Sequence, residues 1–134
     1  MKVCIIGSSG HYRYALEGMK TDPDVSLVGI APGSDGESLD SLERAVNNLD
    51  MKPQKYDDYI IMLDKEKPDI AVVNPHFCDN SKVTIDVLRR GIHAFVEKPL
   101  ATELDDLEKL KEVYSKSDVY LAAMFGIRYA AHFK

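Results

Sequence analysis

The fold is indicated first by a stretch near the start of the chain, Val3-Cys4-Ile5-Ile6-Gly7-Ser8-Ser9-Gly10-His11-Tyr12. Its first four residues are apolar, which is typical of a central strand that a parallel sheet buries on both faces. The glycines end that strand, and one face of a helix follows, marked by the spacing of Tyr12, Ala15, Leu16 and Met19. The stretch therefore predicts a strand, a glycine-containing turn and the first turns of a helix.

Strand-like and helix-like segments alternate along the rest of the chain. Further strands are predicted at residues 25–31, 70–73, 93–96 and 119–124. Apolar residues at helical spacing mark the intervening helices, which include Leu39, Tyr59, Val83 and Leu104. This alternation predicts βαβ units with right-handed crossovers. We expect an α/β fold of the Rossmann-like, doubly wound type, with a mainly parallel sheet covered by helices on both faces.

Several helix ends carry sequence signals. Ser38 is expected to cap the helix that contains Leu39, and Asp79 or Asn80 the helix that contains Val83. Residues 102–105 resemble a capping box with aspartate in place of glutamate. Gly91 follows two arginines and is expected to end its helix in the left-handed conformation.

Composition limits the class of protein. The chain of 134 residues carries a formal net charge of −5, so we expect one domain and no nucleic-acid partner, because a phosphate backbone needs a basic face. No apolar run approaches the ~20 residues of a membrane span or the about 7–15 of a signal peptide, so we expect no membrane association and a cytoplasmic location. Cys4 and Cys78 are expected to be free thiols, and the histidines lack the spacing of a metal site.

The first loop at the carboxyl edge of the predicted sheet is a candidate phosphate site, because ligands of doubly wound sheets bind at this edge. Free backbone N–H groups at a helix N-terminus can bind a phosphate. The candidate contacts are Gly7, Ser8, Ser9, Gly10, His11 and Tyr12. Ser9 and Tyr12 replace two glycines of the usual fingerprint, and a plain turn that needs glycine for its backbone angles is the alternative.

The second predicted strand ends at Ala31-Pro32, where an NAD-binding unit usually has a carboxylate. No carboxylate stands at this tip, and Ser34 and Asp35 follow close behind. No lysine or arginine lies beside the tip to bind a 2′-phosphate. Pro32 and Ser34 are therefore candidate cofactor contacts, the choice between NAD and NADP stays open, and a loop that contacts no cofactor is the alternative.

Lys98 is the candidate catalytic residue. It follows an apolar strand and precedes Pro99, which restricts it to extended geometry. Its ammonium group can hydrogen-bond a substrate hydroxyl and stabilise the alkoxide that forms as hydride leaves. The neighbouring Glu97 could orient it, while a surface Glu-Lys pair in a turn is the alternative.

A longer stretch around this lysine, Gly91-Ile92-His93-Ala94-Phe95-Val96-Glu97-Lys98-Pro99-Leu100-Ala101, resembles the G-x-H-V-x-x-E-K-P-L-A signature of the Gfo/Idh/MocA family. The similarity also covers the first strand and its glycine loop, residues 68–73 and residues 124–128. The family includes glucose-fructose oxidoreductase and inositol dehydrogenase. The resemblance implies an oxidoreductase that uses NAD or NADP and transfers a hydride between nicotinamide and a hydroxyl of a small-molecule sugar, cyclitol or related polyol.

The resemblance also implies roles for single residues. Lys98 would lie beside the nicotinamide and the reacting hydroxyl, with Glu97 among the cofactor contacts and a cis Lys98–Pro99 bond. Arg128 matches an arginine near the domain junction that often approaches cofactor or substrate. The loop after residues 70–73 usually reads T-P-N-x-x-H and borders the cofactor, which makes candidates of Asn74, Pro75, His76 and Asp79. The last two depart from the family pattern.

Domain organisation follows from the same resemblance. It implies an NAD(P)-binding Rossmann domain at residues 1–124 and, at residues 125–134, the start of a connection to a C-terminal substrate domain. In the family that second domain supplies the substrate pocket, an acid/base pair and usually the oligomer interface. We therefore expect a fragment that is catalytically incomplete alone, and a homo-oligomer for a full-length protein.

Two other functions compete with this one. A non-catalytic nucleotide-binding or regulatory Rossmann domain would agree with the altered glycine loop. A flavodoxin-like or receiver domain is disfavoured, because receivers place acidic residues at the tip of the first strand, which here reads Gly7-Ser8-Ser9.

Overall fold

A computed structural model describes residues 1–129 of the chain, and the final residues of the predicted connection, 130–134, lie outside the described residues. The described strands are β1 (Lys2–Ile6), β2 (Ser26–Ala31), β3 (Gln54–Lys55), β4 (Ile70–Val73), β5 (His93–Val96) and β6 (Leu121–Ala123). They form one sheet in the order β3-β2-β1-β4-β5-β6, and every neighbouring pair is parallel. The predicted doubly wound sheet is confirmed, and its switch point lies between β1 and β4.

Five α-helices connect these strands. They are α1 (Tyr12–Thr21), α2 (Asp40–Asn48), α3 (Tyr59–Glu66), α4 (Asn80–Leu88) and α5 (Leu104–Ser115). Short 3-10 turns occur at Phe77–Asp79 and Gly126–Tyr129. Within residues 1–129, none of these helices has the length and apolar character needed to cross a bilayer.

Two apolar clusters cover the faces of the sheet, and β1 contributes to both because its side chains alternate. Val3 and Ile5 pack in the cluster that also contains the apolar sides of α1 and α2. Cys4 and Ile6 pack in the opposite cluster, with residues of α3, α4 and α5. Burial raises the pKa of the Cys4 thiol to about 12. The apolar run read from the sequence is therefore a strand buried on both faces, as predicted.

Helix starts were the weakest part of the sequence prediction. Leu39 occupies the cap position of α2, but the hydroxyl of Ser38 accepts a hydrogen bond from Asp40 N at 3.1 Å, so Ser38 makes the bond expected of the predicted cap. At α5 the cap position belongs to Glu103 and not Thr102, so that predicted cap is wrong. Asp79 makes no capping hydrogen bond to α4, because its carboxylate accepts one from a serine of the β2 loop instead. The C-terminal prediction is confirmed, since Gly91 has φ of +69° after α4.

Two strands differ from their predicted extent. β6 covers only Leu121–Ala123 of the predicted residues 119–124. β3, the two-residue strand Gln54–Lys55, was not predicted because both of its residues are polar and exposed. It pairs with Gly29 and Ile30 of β2 at one edge of the sheet, where a strand needs no apolar pattern.

Candidate functional site

The loop after β1 lies against the end of β4, at the switch point of the sheet. Ser9 N donates a hydrogen bond to Asn74 O at 2.9 Å, and Gly7 N donates to Ala31 O at 2.8 Å. Gly7 has φ of +81°, and a Cβ atom there would overlap the backbone of Asn74. Only glycine therefore permits this close approach.

The second half of this loop contacts a buried carboxylate. Glu97 is fully buried at the end of β5, and its Oε2 accepts a hydrogen bond from His11 N at 2.5 Å and lies 2.7 Å from His11 Nδ1. A Cβ atom at Gly10, where φ is +118°, would overlap that same oxygen. Its Oε1 accepts from Lys98 N at 2.9 Å. One carboxylate thus joins the glycine loop to the backbone of Lys98.

The first half of the loop contacts a second carboxylate, Glu37, which the sequence reasoning missed. Its Oε1 accepts from Ser8 N at 2.9 Å and from Ser9 Oγ at 3.0 Å. Its Oε2 accepts from Gly33 N at 2.9 Å and from Ser34 N at 3.2 Å. The expectation that the tip of β2 lacks a carboxylate is therefore wrong.

The chain returns Glu37 to the strand tip through Gly36, which has φ of +68°. Turn residues at 33–36 were visible in the sequence, and they were the only signal that a later residue could fold back. A rule that looks for a carboxylate directly at the strand end cannot find one that lies six residues beyond Ala31.

The loops after β2 and β4 are joined to each other. Ser34 Oγ donates to Asp79 Oδ2 at 2.6 Å and accepts from His76 N at 3.0 Å. Pro75 is buried and packs against Gly33, where an added Cβ would lie 2.7 Å from Pro75 Cβ. The structure thus brings together four residues that were predicted from two separate loops, namely Ser34, Pro75, His76 and Asp79.

A cavity of about 530 Å³ opens beside these two loops. Its lining includes Pro32 and Ser34, which were predicted contacts, and Tyr59 at the start of α3. Burial, and the hydrogen bond that Tyr59 donates to Asp86, raise the pKa of the Tyr59 phenol, so it remains a donor. The charged lining is mostly acidic, with a single lysine, Lys82, among Asp35, Asp57, Asp58, Asp79 and Asp86.

The amino end of α1 is open to an anion. His11 occupies its cap position without a side-chain capping bond, and the first turn carries no acidic residue. The side chain of Tyr12 lies in the core, so Tyr12 can contribute only its backbone N–H. The helix dipole favours negative charge here, and the Glu97 carboxylate already uses it by accepting from His11 N.

Lys98 is exposed, and the Lys98–Pro99 peptide bond is cis, as predicted. Its Nζ atom lies 5.8 Å from the centroid of the Phe77 ring. Beneath it the side chain of Asn80 donates to Glu97 O and Pro99 O. Phe77 and Asn80 were not predicted as site residues, because neither belongs to a recognised motif.

Two further predicted residues, Asn74 and Arg128, have side chains outside the hydrogen-bonded contacts described above. Both side-chain polar atoms of Asn74 are buried without a hydrogen-bond partner within the described residues. Arg128 is exposed, and the contact that the structure gives its guanidinium is with the Phe125 ring, at 5.9 Å from the centroid. Within residues 1–129 Arg128 makes no hydrogen bond to the loops described above.

The chain resembles proteins of known class over nearly its whole length. The model of the Gfo/Idh/MocA family, described as an oxidoreductase family with an NAD-binding Rossmann fold, matches residues 1–125. A solved structure of a Thermotoga maritima protein assigned as an oxidoreductase is 53% identical, with a TM-score of 0.95, over 99% of this chain and 41% of that one.

More distant relatives carry more specific names. The solved structure of myo-inositol 2-dehydrogenase from Lactobacillus plantarum is 26% identical, with a TM-score of 0.79, over 98% of this chain and 38% of that one. A curated protein of Akkermansia muciniphila named glycosyl hydrolase family 109 protein 2 is 25% identical over 96% of this chain. The chain spans only 28% of the length of that relative.

Proposed function

The chain belongs to the Gfo/Idh/MocA oxidoreductase family, and from this premise we propose that residues 1–124 bind a nicotinamide dinucleotide and present Lys98 to the substrate. The observation that carries the proposal is the double contact of Glu97, which binds the glycine loop through one oxygen and Lys98 N through the other. In the whole protein the reaction would be hydride transfer between nicotinamide and a hydroxyl of a sugar, cyclitol or related polyol.

Three local features fit a dinucleotide. Gly7 and Gly10 have positive φ and no room for a side chain, so backbone alone lines the loop at these positions. The uncapped amino end of α1 suits a pyrophosphate. The side-chain amide of Asn74, which has no hydrogen-bond partner within residues 1–129, lies at the switch point between β1 and β4 and offers a donor and an acceptor. The cofactor, when bound, supplies the hydride acceptor or donor.

Residues of the chain would bind the substrate, transfer its proton and contact the cofactor. Lys98 would bind the substrate hydroxyl and transfer its proton, and Glu97 would orient Lys98 through the backbone. The amides of Gly10 and Tyr12 would bind phosphate, and Ser8 and Ser9 would join them by exchanging their bonds to Glu37, whereas His11 N stays bound to Glu97. The loop residues Pro32, Ser34, Asn74, Pro75, His76 and Asp79 would border the cofactor, and Arg128 would approach it from the domain junction.

The finer choice between cofactors follows from Glu37, and we propose NAD over NADP. A carboxylate at the tip of β2 can accept hydrogen bonds from ribose hydroxyls but repels a 2′-phosphate. The acidic cavity beside it adds to that repulsion.

Replacing Glu37 tests this choice. In Glu37→Ala we expect NADH affinity to fall by about tenfold to a hundredfold, since a hydrogen bond to a charged group contributes roughly 1.5–3 kcal/mol, while NADPH affinity rises. Fluorescence titration of the chain with each cofactor measures both constants, with Glu17→Ala on the exposed side of α1 as the control. Equal changes for the two cofactors would show that Glu37 does not select between them.

The function itself is tested first by binding. The chain should bind NADH or NADPH at micromolar to millimolar concentration, and Lys98→Ala should leave that binding intact. Binding of neither cofactor at millimolar concentration would contradict the proposal and favour a fold that has lost its cofactor. Cofactor binding without turnover of any polyol by the full-length protein would favour a non-catalytic, nucleotide-binding role.

Turnover requires a protein as long as the relatives. In such a protein, Lys98→Ala should lower turnover of polyols such as myo-inositol by about 10²–10⁴-fold, the usual contribution of a general acid or base. Lys20→Ala, on the exposed surface near the end of α1, is the control and should change turnover little. Unchanged turnover in Lys98→Ala would remove Lys98 from the reaction.

A second candidate reaction comes from the Akkermansia muciniphila relative, which is named a glycosyl hydrolase. NAD-dependent glycosidases exist outside the usual two-carboxylate mechanism, so the same lysine could serve cleavage of a glycoside. The two reactions differ in cofactor balance. Net accumulation of NADH from a polyol indicates a dehydrogenase, whereas release of sugar from a glycoside without net NADH indicates a hydrolase.

Two further expectations concern the whole protein and stay predictions. We propose a cytoplasmic location and a homo-oligomer. Cell fractionation and sedimentation of the full-length protein would test them.

A further inference from the structure

Asn80, the first residue of α4, lies completely buried beneath the exposed Lys98-Pro99 segment. Its Nδ2 donates one hydrogen bond to Glu97 O at 3.0 Å and a second to Pro99 O at 2.7 Å. These two carbonyl groups belong to the residues on either side of Lys98. A side-chain amide has two N–H groups, and here each binds one flank of the lysine.

Packing does not account for an asparagine at this position. Its Oδ1 is buried and has no hydrogen-bond partner within the described residues, and an unpaired buried polar atom opposes folding. The sequence suggested Asn80 as a possible cap of α4, but Asp79 occupies that position. What the side chain does make is the pair of bonds to the Lys98 segment.

The same turn of chain also contacts the lysine side chain. Phe77 begins the 3-10 turn that leads directly into Asn80, and its half-exposed ring lies 5.8 Å from Lys98 Nζ. The turn therefore binds the backbone around Lys98 from below and its ammonium group from the side. Glu97 adds a third contact, since its Oε1 accepts a hydrogen bond from Lys98 N.

We propose that Asn80 is a positioning residue that fixes the Lys98 segment to the start of α4 and so keeps the ammonium group over the Phe77 ring. The importance of this position rests on the proposed function, in which Lys98 acts on the substrate hydroxyl. Asn80 itself touches neither substrate nor cofactor in this role. It acts through the two carbonyl groups beside Lys98.

Competitive acylation of lysine amines with trace acetic anhydride, read by mass spectrometry over a range of pH, tests the proposal on the chain itself. The ring favours the charged amine, which does not react, so release from the ring speeds acylation. In Asn80→Ala and Asn80→Leu, which remove both bonds without adding charge, we expect Lys98 to react about twofold to fivefold faster relative to the exposed Lys52, the factor expected from an exposed cation–π contact.

Thr84→Val is the matched control. Thr84 is fully buried on the same helix and donates to Asn80 O at 2.6 Å, without a bond to the Lys98 segment. It should lower stability and leave the acylation of Lys98 unchanged. An unchanged Lys98 rate in both Asn80 variants, or an equal rise in Thr84→Val, would overturn the proposal.

Two further measurements distinguish failure of the Asn80 proposal from misfolding of the Asn80 variants and from failure of the proposed function. If the Asn80 variants do not fold, NMR exchange of the Asn80 side-chain amide in the unmodified chain decides, because both protons should exchange far more slowly than those of the exposed Asn48. Exchange as fast as that of Asn48 would overturn the proposal. Parallel titration with NADH tests the proposed function alone, since loss of cofactor binding would leave the acylation result unaffected.

Discussion

Glu97 and Glu37 contact the two halves of the glycine loop, and they do so from different kinds of position. Glu97 directly follows β5, is fully buried and binds His11 N. Glu37 lies in a loop well beyond the end of β2, is half-buried and binds Ser8 N. Both use a carboxylate to accept backbone N–H groups, which are strong, charge-assisted hydrogen bonds.

The difference in burial indicates different roles. A buried carboxylate without its donors would be very unfavourable, so Glu97 must keep its contacts and stabilises the loop permanently. Glu37 reaches water, so its contacts can be exchanged for those of a ligand at little cost. We infer that Glu97 shapes the site and that Glu37 selects what binds in it.

The largest expected change in the free energy of unfolding comes from replacing the glycines beside these two carboxylates. Gly10→Ala places a Cβ at positive φ on Glu97 Oε2, whereas Gly36→Ala has a positive φ and open space. We expect a loss of about 3 kcal/mol in the free energy of unfolding for Gly10→Ala, and about 1 kcal/mol for Gly36→Ala. Urea unfolding measures both, and equal losses would show that the contact with Glu97 adds nothing to the backbone effect.

The next effect concerns the carboxylates themselves. Glu97→Gln replaces one carboxylate oxygen by an NH2 group, which faces the N–H donor of either His11 or Lys98, and we expect a loss of roughly 2–3 kcal/mol, against about 1 kcal/mol for Glu37→Gln. The control Glu17→Gln, on the exposed surface of α1, should stay within about 0.5 kcal/mol of the unmodified chain. A larger loss for Glu37→Gln than for Glu97→Gln would reverse the proposed roles.

The smallest effects come from single side chains that contact each carboxylate. His11→Ala removes the ring nitrogen 2.7 Å from Glu97, and Ser9→Ala removes a hydroxyl 3.0 Å from Glu37. Because both side chains reach water, we expect about 1 kcal/mol for His11→Ala and about 0.5 kcal/mol for Ser9→Ala. Thermal unfolding resolves this order, and a larger loss in Ser9→Ala would place the stronger contact on the Glu37 side.

Much of the molecule was predictable because its signals are local. The apolar run of β1, the glycines that end it and the helix spacing of α1 are neighbours in sequence, and they predicted the strand, turn and helix that the structure contains. The segment around Lys98 was recognisable for the same reason. Helix caps were less predictable. The carboxylate of Asp79 is suited to cap a helix, but it accepts a hydrogen bond from Ser34 in another loop instead.

The amino-acid sequence by itself determined the order of strands and helices, the family and the place of Lys98 at a strand end, since periodicity and motifs act over a few neighbouring residues. Only the tertiary structure decided that Glu37 returns to the tip of β2, that the Asn74 amide is unpaired within the described part of the chain and that Asn80 binds both flanks of Lys98. Those contacts join loops that are far apart along the chain, and they form only when the parallel sheet brings the strand ends to one edge.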